Sequence, residues 1–172
     1  MEITDAKIYH DLDCGIIEGK DVVKSVKYYK DAKSFYASED ESLDDDTIMY
    51  EVYAFTNSEK SCLNYGLTVM QPVKVNGEYN MTRGHFHLDT TKDEIYIGLE
   101  GEGLLLYMDE NGKCFSEKVK RGSVHYIDGK LAHRLINTGD KVMKVQCFWP
   151  SDAGHDYKRV EKMPFSERVF EK

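Results

Sequence analysis

Gly84-His85-Phe86-His87 places two imidazoles two residues apart, the first spacing in this chain that points to chemistry. On an extended segment, positions i and i+2 project from one face, so such a pair can offer two nitrogens to one ion. Downstream, Glu94 opens the apolar segment EIYIGLEG after a polar loop over 88–93, and His133 follows Asp128-Gly129-Lys130. An antiparallel return at the first loop would set Glu94 beside the histidine pair. A reversal at the second would bring His133 across the barrel. Three neutral imidazoles and a carboxylate suit one divalent transition ion, Fe, Mn, Ni or Zn, and suit Ca²⁺ or Mg²⁺ poorly. His10 and His125 have no partnering motif and are read as ordinary hydrogen-bonded residues.

Rigid elements must hold these ligands, and the sequence from Ile48 onward supplies candidates. Segments rich in Tyr, Val, Ile, Leu and Phe recur between turn residues: 48–55, 63–71, 94–101, 103–109, 113–119, 123–128, 133–138 and 142–149. That spacing predicts an antiparallel all-β chain. Asn111-Gly112 predicts a two-residue type I′ hairpin turn, because both residues tolerate positive φ. Residues 22–29 suit a strand at least as well as a helix. The acidic run over 39–46 predicts a solvated loop, since like charges this dense resist packing. The charged tail, 152–172, is expected on the outside with a short helix. So many strands must pack as two sheets or close into a barrel to manage their edges, which predicts a jelly-roll barrel in one domain over 1–172.

Composition narrows the function classes. With 31 acidic against 23 basic residues the formal net charge is −8, a balance that repels nucleic-acid phosphates. Cys14, Cys62, Cys114 and Cys147 form no CxxC pair, so reduced thiols and a cytoplasmic location are expected. No apolar run approaches the ~20 residues that span a bilayer, and the start lacks a basic, then apolar, leader. A soluble protein with no membrane partner is expected. Exposed strand edges and aromatic content predict a homodimer.

Together these residues resemble the cupin pattern. The HxH pair with Glu94 and Gly101 is similar to the first cupin motif, and Gly122, His133 and Asn137 are similar to the second. The gap from His87 to Glu94 exceeds the commonest cupin spacing, and Asp128 and Lys130 stand where Pro and Gly are usual. That longer gap, with GIIEG at 15–19, YEVY at 50–53, AHRLIN at 132–137 and PSDAGHDY at 150–157, resembles the cupin-type glucose-6-phosphate isomerases of archaea and some bacteria.

The resemblance implies a double-stranded β-helix with N-terminal extension strands and a short C-terminal segment. It implies a metal held by His85, His87, Glu94 and His133, with Glu94 as the candidate for proton transfer and a metal-favoured hydride shift as the alternative route. Tyr96, His155 and Tyr157 would line the sugar site, Tyr96 and His155 taking part in catalysis. Tyr50, Thr68, Thr82 and Gly84 would hold the phosphate. The substrate would be a phosphosugar, glucose 6-phosphate or fructose 6-phosphate, in glycolysis or gluconeogenesis. Trp149 and Lys130 stand where tyrosines are common. Other readings of the same site are a cupin isomerase or epimerase acting on mannose 6-phosphate, a non-catalytic sugar-binding cupin, and an iron dioxygenase. The neutral hydroxyls of Thr68, Thr82 and Tyr50 favour a hydrophilic, phosphorylated ligand.

Overall fold

Strands form here where β-branched and aromatic residues alternate, and that alternation decides which side chains turn inward. A computed structural model of the chain describes residues 1–11 and 15–172. Cys14 lies outside the described residues; Cys62, Cys114 and Cys147 are free thiols.

The chain opens with a short hairpin, β1 (Tyr9–His10) and β2 (Ile17–Glu18). Residues 22–29 resolve as β3 (Val22–Tyr28), which runs directly into one helical turn, α1 (Tyr29–Ala32). β4 (Ile48–Phe55) and β5 (Leu63–Met70) follow, then the small pair β6 (Lys74–Val75) and β7 (Glu78–Tyr79). The remaining strands are β8 (Glu94–Glu100), β9 (Glu102–Met108), β10 (Cys114–Lys120), β11 (Val124–Ile127), β12 (Ala132–Asn137) and β13 (Met143–Pro150), before helix α2 (Tyr157–Lys162). No helix among the described residues is long and apolar enough to cross a membrane.

Two antiparallel sheets carry the architecture: a six-stranded one in the order β11-β8-β13-β5-β4-β3 and a three-stranded one in the order β10-β9-β12. Their facing sides bury Met70, Val145 and Cys147 from the larger sheet with Leu105, Tyr107 and Leu135 from the smaller. On the outer side of the larger sheet, Ile8, Ile16 and Ile17 of the N-terminal segment cover Leu67, Val69 and Leu99. The tail does more than lie on the outside, because Val160 and Phe165 join the main core. The acidic run is largely exposed, as expected, with Asp45 and Asp46 paired to Lys33 and Lys30.

The turn chemistry differs from expectation at one place. β9 and β10 are joined by residues 109–113 rather than by two residues, and of the pair Asn111-Gly112 only Gly112 has positive φ, at +82°. The Asp109 carboxylate explains this, because it accepts the N–H groups of Asn111 and Lys113 at 2.8 and 2.9 Å and stabilises a longer turn. The two-residue turn with both φ values positive is Asn76-Gly77, at 48° and 81°, between β6 and β7. Gly101, between β8 and β9, has φ +71°, and a Cβ there would lie 2.5 Å from the Val142 carbonyl oxygen. Only glycine meets both conditions.

Asn137 ties the ends of the two sheets together. Fully buried, it donates to the Met70 and Lys141 carbonyls at 3.1 and 2.9 Å and accepts the Gly139 N–H at 3.1 Å. Asn137→Ala leaves these backbone groups without partners, a loss of about 2–4 kcal/mol. The expected fall in thermal midpoint is about 5–10 °C for a chain of this size, read by scanning calorimetry. An unmoved midpoint would show that the amide is not a structural tie.

Candidate functional site

The register of the larger sheet prepares one wall of the site. Tyr96 lies opposite Cys147, Cys147 opposite Gly66, and Gly66 opposite Ala54, so these positions form one inward row across β8, β13, β5 and β4. Glu94 stands two residues before Tyr96 and shares its face. The opposite wall belongs to β12 and the HxH segment. His85 bridges His133, with its N–H donating to the His133 carbonyl at 3.3 Å and the His133 N–H returning at 3.1 Å. Phe86 bridges Asp156, which caps α2 by accepting the Arg159 N–H at 3.0 Å. The rings of His85 and His87 project to the same side, 5.7 Å apart and 21° from parallel.

This arrangement corrects the expected pairing. His133, not Glu94, is the strand neighbour of the HxH pair, and Glu94 approaches from the facing sheet. The loop over 88–93 crosses between the sheets instead of making a tight return, and the Lys92 carbonyl in that loop lies 2.6 Å from His87 Nδ1. That contact fixes the ring with Nε2 facing inward.

The four side chains converge. One ligand atom from each of His85, His87, Glu94 and His133 lies within 4.8 Å of the others. His87, Glu94 and His133 are 2%, 3% and 2% exposed. Glu94 Oε1 lies 3.0 Å from His87 Nε2, and Oε2 lies 3.5 Å from His133 Nε2. The first approach is close without the alignment of a hydrogen bond, so His85 Nε2 and His87 Nε2 are both buried without a partner. Orphaned buried imidazole nitrogens facing a carboxylate fit a single metal ion, which would satisfy all of them at once.

Electrostatics agree with that fit. Burial, then the neighbouring His133 and His155, push His85 well below its usual value, leaving a lone pair to donate. Burial works against ionisation of Glu94, yet the adjacent His133 and His87 outweigh it and hold the carboxyl well below its usual range. Burial opposes protonation of His87, but Glu94 overrides it and raises the value.

His85, Glu94 and His133 line a cavity of about 360 Å³, within the range that takes small ligands. Tyr50, Thr68, Thr82, Gly84, Tyr96, His155 and Tyr157 all line it too. The Tyr96 hydroxyl is 3.4 Å from His133 Nε2, and burial followed by the charge of Glu94 drives its pKa well above the usual value. His155 is exposed at the mouth, 4.3 Å edge-on from His85 and stacked on Tyr157 at 5.6 Å. Burial pushes Tyr50 up to about 12, opposed in part by the nearby Arg83 backbone. Thr82 Oγ1 accepts the Leu135 N–H at 3.0 Å and keeps its own O–H free to donate.

The two departures from the resembled pattern separate here. Trp149 lines the cavity, seated where Gly66 has no side chain: a Cβ at Gly66 would lie 2.7 Å from the Trp149 ring. Lys130 is exposed and outside the cavity. His125 is held by Glu117 at 2.6 Å and Ser123 at 2.8 Å, and His10 by Tyr65 at 3.0 Å, as expected of residues with no part in the cluster. Sequence reasoning missed Lys27, Gly66, Arg83 and Cys147 as lining residues. The alternation of β3, β5 and β13 was a signal for three of them, once their register was known.

A His₃Glu cluster of the kind that can hold a metal ion, set between the two sheets of a β-barrel, defines a cupin. Among solved structures, the chain is similar in fold to a mutant oxalate decarboxylase of Bacillus subtilis, with TM-score 0.50 and 19% identity over 60% of this chain and 26% of that one. The description Glucose-6-phosphate isomerase (GPI) matches residues 22–166. Proteins named glucose-6-phosphate isomerase from Thermococcus kodakarensis and Pyrococcus horikoshii are 37% and 36% identical, each across 94% of this chain, covering 86% and 87% of their own lengths. A bacterial relative of the same name, from Sinorhizobium medicae, is 36% identical over 68% of this chain and 55% of its own. The chain belongs to the glucose-6-phosphate isomerase family.

Gly84 offers a direct test of how the fold sets the cluster. Its φ is +76°, and a Cβ there would meet the Phe165 ring at 2.8 Å and the His133 carbonyl at 3.2 Å. Gly84→Ala must displace the backbone that pairs His85 with His133. Zinc titration of the metal-free protein is expected to give an affinity at least about tenfold weaker. Unaltered affinity would mean that the bridge does not position the ligands.

Proposed function

We propose that this chain is a metal-dependent aldose-ketose isomerase that interconverts glucose 6-phosphate and fructose 6-phosphate. The observation that carries the reading is the convergence of His85, His87, Glu94 and His133, three of which line the cavity, in a chain of this family. The names of relatives matched along most of their length support the substrate. Such a reaction belongs to glycolysis and gluconeogenesis.

Isomerisation removes a hydrogen from C2 of the aldose, returns one to C1, and moves a hydroxyl proton between the two oxygens. It therefore needs a base near both carbons and groups that stabilise oxyanion character. A bound divalent ion, Fe, Mn, Ni or Zn, supplies Lewis acidity toward the sugar oxygens. Glu94 takes and returns the carbon-bound proton, a role supported by its ionised, desolvated carboxylate. Tyr96 and His155 exchange protons with the sugar oxygens, and Tyr157 walls the sugar. Tyr50, Thr68, the free O–H of Thr82 and the Gly84 backbone hold the phosphate through neutral hydrogen bonds.

One domain over 1–172 is supported by a main core that draws on both sheets and α2. Three free thiols support a cytoplasmic setting. A homodimer is supported by the β11–β8 end of the larger sheet's outer face, where Tyr126 stands opposite Ile95, at 65% and 39% exposed, and Val124 opposite Ile97.

Elemental analysis of the purified protein is expected to find about one divalent transition ion per chain, and His85→Ala to weaken its binding by at least about tenfold. Glu94→Gln keeps an oxygen donor but loses the proton acceptor. Metal is expected to remain in part while isomerisation falls about 10²- to 10⁴-fold. Full activity in the Gln protein with its ion bound would remove Glu94 from the role of base.

A further inference from the structure

The phosphate of the proposed substrate carries a double negative charge into a protein whose net charge is −8. Neutral hydroxyls and a backbone N–H can bind it, yet a cation within the cavity would bind it far better. Three cationic side chains line the cavity: Lys27, Arg83 and Arg134. Two are already engaged. Arg83 pairs with Glu161 at 2.5 Å and lies over the Tyr157 ring at 4.2 Å. The Arg134 guanidinium lies over Phe165 at 3.9 Å and donates to the Met81 sulfur, held against the C-terminal segment.

Lys27 differs. It is half-buried and makes no ion pair, hydrogen bond or ring contact among the described residues. The register explains where it points. Lys27 lies opposite Tyr50, and Ser25 opposite Val52, and all four line the cavity, so this face of β3 and β4 turns toward it. After Lys27 the register slips, Tyr28 pairing with Ile48, and such a bulge ends the regular ladder beside the site. Tyr50, Thr82 and Gly84, the neutral groups assigned to the phosphate, line the same cavity as Lys27. β3 is the edge strand at the far end of the sheet from β8, which carries Glu94. In a hexose 6-phosphate the reacting carbons and the phosphorus also lie at opposite ends.

We infer that Lys27 is the counter-charge for the substrate's phosphate and sets the preference for phosphorylated over neutral sugars. The inference rests on the functional reading above and adds to it a residue that no motif marks. A free half-buried ammonium next to neutral donors accepts a phosphate without first breaking an ion pair. Lys24, three residues earlier, faces the other way and is bound to Glu51 at 2.5 Å.

The test compares Lys27→Met, Lys27→Arg and, as control, Lys24→Met. In Lys27→Met the KM for fructose 6-phosphate is expected to rise about 10- to 100-fold, the loss typical of one charge-assisted hydrogen bond. The ratio of kcat/KM for fructose 6-phosphate over fructose falls in proportion. Lys27→Arg recovers most of the loss, and Lys24→Met keeps the original KM. Calorimetric titration with inorganic phosphate, on the same proteins, should show the same order of affinities. A KM and a phosphate affinity in Lys27→Met within about twofold of the original, where a lost charge-assisted bond predicts far more, would overturn the inference. Should the unaltered chain fail to turn over fructose 6-phosphate, the functional reading falls, and the phosphate titration alone decides whether Lys27 binds the anion.

Discussion

A carboxylate that is 3% exposed and faces three imidazoles is the constraint around which this fold is arranged. Glu94 comes from one sheet and His133 from the other, with His85 and His87 on a segment bridged to β12. Burying an ionised carboxylate is costly unless opposite charge or hydrogen bonds compensate it. The sheets must therefore stand at the separation that brings these groups together. The core below them, from Leu105 and Leu135 to Met70 and Val145, sets that separation.

Other features serve the same geometry. Gly84 and Gly101 occupy positive φ where a Cβ would collide with backbone or ring. Asn137 closes the end of β12 against β5. The Lys92 carbonyl orients His87, and Asp156 both bridges the HxH segment and starts α2, which leaves His155 at the cavity mouth. His155-Asp156 thus combines a capped turn with a cavity residue, one role on each side chain.

Strands and the four converging side chains were legible in the sequence because both depend on local patterns. The segment 48–55 was matched to the residue, and the spacing of HxH, Glu94 and His133 identified the four converging side chains. Their partners were less legible. Which strand lies beside which is a long-range property, so Glu94 was expected as the neighbour and His133 across the barrel, the reverse of the structure. Asn111-Gly112 marked the β9–β10 hairpin but not its turn type, since Asp109 offers its carboxylate to two N–H groups and a longer turn wins. Lys27 was invisible because a single lysine on a short strand has no motif; only its register with Tyr50 brings it to the cavity.

The proposed function, metal-dependent interconversion of two hexose phosphates, depends on the His₃Glu cluster and its cavity. The most direct measurement is a coupled assay that follows glucose 6-phosphate formed from fructose 6-phosphate, on the protein before chelation, after chelation, and after a divalent transition ion is returned. Turnover is expected to be lost with the metal and recovered with it. Absence of turnover in the metal-loaded protein, or full turnover in protein verified by elemental analysis to be metal-free, would contradict the proposed function.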